Sequence, residues 1–319
     1  MSTGCRAGFM RSHRRVTRQV CAFALIGTAS VCDAASWNVT SWYGNTPAWN
    51  RRLGTQEVRL GCDSMPTGCL QGLDRAARAD EVAQVSLAIT PDADKIAAYS
   101  LEFSAASLKE ARLRSIGLDD ALSVLHKWQQ QGHNPGSLLQ EVLANTKAKN
   151  PRLEFGITLY ENELGYPLLR TLLPANVRAT VDRVYLYVQY RQDGPRFGDY
   201  VQQAKQLFPN AAVIAGVYPY DRIDYLPCST TAKAPCTPEE EKRLFEDTLR
   251  LQVSMMVKGE VAGIEFYPGS FGTEDNWLGW QRSNICQAPR VQSCIETTKE
   301  MHATTQQVLD SIGSERNTP

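Results

Sequence analysis

The 319 residues predict a single TIM-like (β/α) barrel, irregular in its N-terminal quarter and stapled at its loops by disulfides. Three observations point there. From residue 153 onward, apolar runs of strand length alternate with stretches of helical periodicity, and the links are short, which is the pattern of a parallel sheet. Roughly seven or eight strands over this length favour a closed sheet over an open one. Within each strand, one parity is aliphatic while the other is small, aromatic or acidic.

The elements can be justified in order. WNVTSWY (37–43) reads as a strand, followed by loop aromatics Tyr43 and Trp49, and contains the sequon Asn38-Val39-Thr40. Residues 57–62 form a short strand and 73–83 a short helix. VSLAIT (85–90) and AYSLEFS (98–104) read as two strands, too close for a crossover helix, so a hairpin or an irregular barrel quarter is expected. Leu118, Ala121, Leu122, Leu125 and Trp128 then share one face of a helix starting near Leu118. A second helix begins at Ser137, whose spacing to Gln140 is that of a capping box. The strand 153–160, a helical stretch at 167–180, the strand 183–190, the helix 197–208 and the strand 211–218 follow. Thr237, Pro238 and Glu240 supply an N-cap, a proline at the first helical position and a capping-box glutamate. Phe245, Leu249, Val253 and Met256 form that helix's apolar stripe, and Gly259 ends it. The strand 261–267 and a helix from about 295 to 312 complete the set.

Parity predicts what faces the lumen. Helices cover the outside of a barrel, so the aliphatic sets (Phe155, Ile157, Leu159; Val184, Leu186, Val188; Val213, Ala215, Val217; Ile264, Phe266) belong against them. The opposite sets turn inward: Gly156, Thr158, Tyr160; Tyr185, Tyr187, Gln189; Ile214, Gly216, Tyr218; Gly263, Glu265, Tyr267; and Ser100, Glu102, Ser104. Such an interior implies a hydrated pocket or a tyrosine network satisfied by buried carboxylates.

Residues 1–34 have the composition of an export signal: Arg6, Arg11, Arg14, Arg15 and Arg18, then the apolar run 20–31, then small residues at Ala34 and Ala35. That run is too short for a permanent membrane span, so the expected mature chain is one barrel domain, 35–319, secreted or periplasmic and without stable membrane insertion. Cleavage there leaves 29 basic and 33 acidic residues, a net charge of −4. A mildly acidic chain with no long basic run argues against nucleic acid as a partner. Six cysteines remain, in close sequential pairs: Cys62/Cys69, Cys228/Cys236 and Cys286/Cys294. Zinc is the rival to disulfides, but CxxC spacing and nearby histidines are missing, so three local bridges are expected.

The chemistry sits on carboxylates. Breaking an acetal needs an acid for the leaving oxygen and a carboxylate that attacks or activates water. Glu265 is the first candidate, inward between Gly263 and Tyr267; the alternative is a buried glutamate hydrogen-bonded to tyrosines. Asn162-Glu163, after the strand 153–160, resembles the Asn-Glu pair that often ends the fourth strand of the TIM-barrel retaining glycosidases, whose nucleophile is a Glu ending the seventh. The resemblance covers those two places and implies Glu163 as acid/base and Glu265 as nucleophile. Strict alternation turns Tyr160 and Asn162 inward and Glu161 and Glu163 outward, so Glu161 and Glu102 remain candidates; a solvated turn is the alternative for Glu161 and Glu163.

Sugar C–H faces pack on rings, and Trp42, Tyr160, Tyr187, Tyr218, Tyr220, Tyr267, Trp277 and Trp280 lie at or near strand ends, where packing is the competing role. Asn162, Gln189, Arg191, Asp221 and Arg222 could bind polar substrate groups; surface ion pairs are their alternative. HxH, HExxH, GxSxG, GxGxxG and P-loop patterns are missing, so neither a metal nor a cofactor is expected. The reading is an exported glycoside-hydrolase-like enzyme acting on a poly- or oligosaccharide. The alternative is a non-catalytic barrel that binds a carbohydrate or another polar ligand in a tyrosine-lined pocket.

Overall fold

Eight parallel strands close into a barrel in chain order. The computed structural model describes residues 38–42, 53–62, 67–71, 83–224, 226–229, 231, 234–267, 286 and 288–316. The strands are β1 (Asn38–Trp42), β2 (Glu57–Cys62), β3 (Gln84–Ile89), β4 (Leu113–Leu118), β5 (Glu154–Tyr160), β6 (Arg183–Tyr187), β7 (Ala212–Val217) and β8 (Gly263–Phe266). The expected leader at 1–34, all but the last residue of the expected helix at 73–83, and Tyr43, Trp49, Trp277 and Trp280 lie outside the described residues. Closure comes from β8, which pairs with β7 on one side and with β1 on the other, where Thr40 stands beside Glu265.

The N-terminal quarter corrects two expectations. Residues 98–104 are not a strand: they fall within α1 (Ile96–Ala106), whose buried residues Ile96, Ser100, Phe103 and Ser104 follow helical spacing. Over seven residues that run also satisfied a two-residue period. The strand is β4, followed by α2 (Ala121–Gln130), so Leu118 ends a strand and does not start a helix. With α1 as the crossover, β3 and β4 are parallel and no hairpin forms; the ladder has one register shift, between Val85 and Ser86. In α3 (Pro135–Lys149) the cap is Asn134, whose side chain accepts from Ser137 N at 2.9 Å, in place of the expected Ser137–Gln140 box. Residues 167–180 divide into α4 (Pro167–Leu172) and α5 (Ala175–Arg178), with Pro174 between them.

Downstream, α6 (Phe197–Leu207), α7 (Pro238–Val257) and α8 (Val291–Arg316) follow β6, β7 and β8. The Thr237–Glu240 capping box of α7 forms in both directions. All three expected disulfides are present, Cys62–Cys69, Cys228–Cys236 and Cys286–Cys294. Among the described residues no helix is long and apolar enough to cross a membrane. The sequon asparagine is built into β1, with its side-chain amide donating to Glu57 Oε2 at 2.8 Å.

In β5 to β8 parity sorts the side chains as expected; the set at Ser100, Glu102 and Ser104 falls away because its segment is helical. The aliphatic sets of β5 to β8 join Leu125, Trp128, Leu139, Val142, Val201 and Leu249 from the helices in one apolar layer around the barrel. The lumen is different. Trp42, Ala88, Tyr185, Tyr187, Ile214, Tyr218 and Tyr220 form a separate inner cluster, with Tyr160 and Tyr267 packed against it. Small residues on neighbouring strands make room for these rings. A Cβ on Gly216 would run into the ring of Tyr187, and one on Gly156 into that of Tyr185. Large side chains from β6 thus fill space that glycines on β5 and β7 leave free.

Toward the strand N-termini the interior is ionic. Arg183 donates from Nη1 to both oxygens of Glu57, at 2.8 and 3.1 Å, and from Nε to Glu154. Ser86 and Asn38 also donate to Glu57. Arg183 is 2% exposed and Glu57 is fully buried, so each charge depends on the other for its solvation. Burial would lift the Glu57 carboxyl, but Arg183 and the two hydrogen-bond donors together hold it below the ordinary carboxylate range.

Candidate active site

One layer closer to the strand C-termini lies Arg59, the next inward residue of β2. It donates to Glu265 Oε1 at 3.1 Å and to Thr158 Oγ1 at 2.9 Å. Its guanidinium carbon stands 4.0 Å from the ring centre of Trp42 and 4.2 Å from that of Tyr185. A planar, weakly hydrated cation suits this slot better than an ammonium would. The Tyr187 hydroxyl, reaching across from β6, donates to the same Glu265 oxygen at 2.7 Å. Glu265 is therefore gripped at Oε1 by two donors, while Oε2 is buried and has no hydrogen-bond partner. Desolvation pushes this carboxyl up to about 7, against the opposing pull of Arg59 and Tyr187.

Aromatic residues stand at the mouth. Trp42 and Tyr267 are 4.8 Å apart between ring centres, and Tyr218 lies 4.7 Å from Tyr187 and 5.9 Å from Tyr267. Tyr218 donates to the Tyr160 hydroxyl at 3.3 Å, which donates to Asp120 Oδ1 at 2.7 Å. Asp119 and Asp120 continue from β4, and Asp120 takes a left-handed backbone (φ 45°), a conformation that aspartate and asparagine tolerate better than most residues. Burial raises the Asp119 carboxyl, Arg59 lowers it, and the Asp120 charge raises it again.

The acidic turn after β5 breaks the strand alternation. The strand ends at Tyr160 and a single helical turn, Glu161–Leu164, begins at once. Glu161 is buried and accepts from the backbone N–H groups of Gln189 (2.7 Å) and Tyr190 (3.2 Å). Glu163 caps its own turn by accepting from Tyr160 N at 2.9 Å. Desolvation lifts both carboxyls to about 7, and Asp120 and Glu161 push Glu163 in the same direction. Asn162 is exposed at the rim and donates to Gln189 Oε1 at 3.0 Å. The Asn-Glu pair thus follows the fifth strand and Glu265 lies in the eighth. Their three-strand interval matches the resemblance, while the count from the N-terminus is one higher.

The other expected site residues separate into two groups. Trp42, Tyr160, Tyr187, Tyr218 and Tyr267 converge on the mouth with Glu265. Glu102 does not: it is exposed on α1, outside the barrel, because its segment is a helix. Arg191 is spent on Glu241 (2.7 Å) and on the carbonyls of Tyr218 and Tyr220. Asp221 accepts from Arg290 at 2.8 Å, and Arg222 donates to the Val188 carbonyl while its guanidinium lies over Tyr218. These three tie the segment after β7 to α7 and to the chain leading into α8. Three residues that the sequence reading passed over belong to the site: Arg59, Asp119 and Asp120. Glu57 and Arg59 alternate with Val58, Leu60 and Cys62, and Asp119-Asp120 follow LRSIGL just as Glu161 follows β5. Both signals were present.

The carboxyl shifts set a testable pH dependence. Glu161 and Glu265 titrate near 7 in the folded chain against an ordinary 4.5. Folded pKa values above the unfolded ones mean that the native state holds protons the unfolded state has lost, so stability falls as pH rises from about 4.5 to about 7. Each ionisation costs roughly 3 kcal/mol at 1.4 kcal/mol per pKa unit. Below that window Glu57, with its depressed pKa, reverses the slope. We expect the melting temperature to peak near pH 5 and decline towards pH 7.5, with a smaller decline in Glu161→Gln. A melting temperature that rises steadily from pH 5 to pH 7.5 would contradict the burial of these groups.

No family model and no curated protein matches this chain. Similar solved structures include an active domain of a thermostable chitinase from Pyrococcus furiosus, with a TM-score of 0.48 and 12% identity over 86% of this chain and 96% of that one. Others are the GH53 catalytic domain of Ignisphaera aggregans (0.47, 13%, 74% and 87%) and xylanase B from Clostridium stercorarium F9 (0.49, 12%, 72% and 85%).

Proposed function

We propose that this chain is an exported glycoside hydrolase that cleaves a poly- or oligosaccharide at the C-terminal mouth of its barrel. One observation carries the reading: Glu265 is held at one oxygen by Arg59 and Tyr187 while the other is left without a partner, next to an aromatic-lined mouth. A carboxylate that attacks or activates water needs this arrangement, with one oxygen fixed and one available. Glu265 is the nucleophile or base, and the Arg59 guanidinium favours its ionised form. Glu163 is the acid: burial raises it as it raises Glu265, but no guanidinium is bound to it to favour the ionised form. Trp42, Tyr160, Tyr218 and Tyr267 offer ring faces to the sugar. The leader at 1–34 and the three disulfides support an oxidising, extracytoplasmic location.

A second reading is favoured by the complete burial of Glu265. In it the Arg59–Glu265 pair is scaffold, and the mouth binds a carbohydrate without cleaving it. A panel of neutral, acidic and amino polysaccharides, assayed with the purified chain for both binding and new reducing ends, separates the two. Release of reducing ends supports hydrolysis, binding alone supports the second reading, and neither result on any glycan defeats both.

A further inference from the structure

A cavity of about 460 Å³ opens at the mouth, lined by Trp42, Ala88, Asp119, Asp120, Lys127 and Tyr267 among others, a volume suited to a small ligand. Its polar lining sets the acceptors Asp119 and Asp120 beside the donors Lys127 and Trp42 Nε1, the latter buried and without a hydrogen-bond partner. Asp119 Oδ1 is buried and has no hydrogen-bond partner, and Asp120 is exposed and already receives the Tyr160 hydroxyl. Glu265, fully buried and with Oε2 unpartnered, is an inward residue of β8 two positions before Tyr267, which is in the lining. The Asp120 charge raises both the Asp119 and the Glu163 carboxyls, so Asp120 repels each of them. Of the cations nearby, Arg59 is bound to Glu265 and Thr158 and also lowers the Asp119 carboxyl, while Lys127 stands in the lining itself and borders a neighbouring depression with Asp92 and Asp94.

We propose that this cavity binds a sugar residue bearing a free amine, so that the glycan acted on is a cationic amino-sugar polymer or oligomer. The inference rests on the glycosidase reading of the same site and names its substrate class. An ammonium supplies a donor for the unpartnered Asp119 Oδ1, and it relieves the repulsion that Asp120 exerts on Asp119 and Glu163. Trp42 and Tyr267 present ring faces that attract a cation as well as sugar C–H groups. An N-acetyl group removes the charge and adds an acyl group to a cavity walled by aromatic rings. A uronic acid or sulfated sugar would meet like charge.

Three tetrasaccharides of one linkage, bearing amine, N-acetylamine or hydroxyl at C2 (glucosamine, N-acetylglucosamine and glucose, all β-1,4), give a direct test by calorimetry. The same comparison is run with α-1,4-linked galactosamine and its acetylated and neutral counterparts. The amine form should bind at least about tenfold more tightly than either isostere in one of the series. That preference should collapse in 0.5 M salt and in Asp119→Asn and Asp120→Asn. Asparagine keeps the shape at both positions and the left-handed backbone at 120, and circular dichroism checks that each variant folds. Binding or cleavage of a neutral or N-acetylated glycan equal to or better than the amine overturns the inference and leaves the glycosidase reading standing. An amine preference that survives both substitutions places the amine elsewhere and also overturns it. Failure of every glycan, here and in the wider panel, overturns both.

Discussion

Glu265→Gln should lower turnover on the responsive glycan by about 10²- to 10⁴-fold, the range expected when a positioned carboxyl leaves an acetal-cleaving site. The substitution keeps the shape and the acceptor that Tyr187 and Arg59 grip at 2.7 and 3.1 Å. It removes the charge and the nucleophilic oxygen. Affinity for the glycan should change far less than turnover, so the loss should fall on kcat rather than on KM. Initial rates and a binding isotherm on the same preparation check this. Wild-type turnover in the variant would sink the assignment of Glu265, and with it the hydrolytic reading. Loss of binding in step with turnover would mean that Glu265 acts by holding the mouth together. Glu163→Gln is the companion: if Glu163 is the acid, its variant should recover rate on a substrate whose leaving group needs no protonation, and Glu265→Gln should not.

The largest stability effect is expected at the other end of the lumen. Arg183→Met should destabilise the fold by about 3–5 kcal/mol, because it leaves Glu57 buried without its counter-ion. Asn38 and Ser86 still donate to Glu57, but neither carries charge. Chemical denaturation measures the loss. The double variant Arg183→Met/Glu57→Gln should be more stable than the single one, since it removes the orphaned charge along with its partner. A single substitution costing under about 1 kcal/mol would show that water reaches Glu57 and that the lumen is wetter at its base than the burial of both residues implies.

How far the sequence led can be judged at particular residues. The strands β5 to β8 and their inward sets were legible because each is bounded by a helix with a clear apolar stripe, and parity within a strand is a local property. Thr237 and Glu240 announced α7 for the same reason: a cap is written in four consecutive residues. The failure at 98–104 was also local, since seven residues satisfied both periods and only the length of the segment distinguishes them. The ion pairs were beyond reach. Arg59 meets Glu265 across 206 residues and Arg183 meets Glu57 across 126, so no window of sequence shows which charge neutralises which. The turn after β5 failed differently. Alternation ceases to apply where a strand ends, and a helix starting at Glu161 sent both glutamates to backbone N–H groups.

Closure of the ring by β8 has a kinetic consequence. The first seven strands can lie side by side through neighbouring ladders, but Arg59 lacks its carboxylate until the last strand inserts between β7 and β1. Until then an arginine placed among Trp42, Tyr185 and Thr158 has only the more loosely coupled Asp119 charge and lacks its hydrogen-bonded carboxylate, and its cost falls on every partly assembled form. Assembly of the last strand and neutralisation of the lumen are therefore one event. Contacts so distant in sequence form slowly, and a chain stopped short of β8 is not a smaller barrel but an open sheet whose inner-face arginine lacks its bound carboxylate.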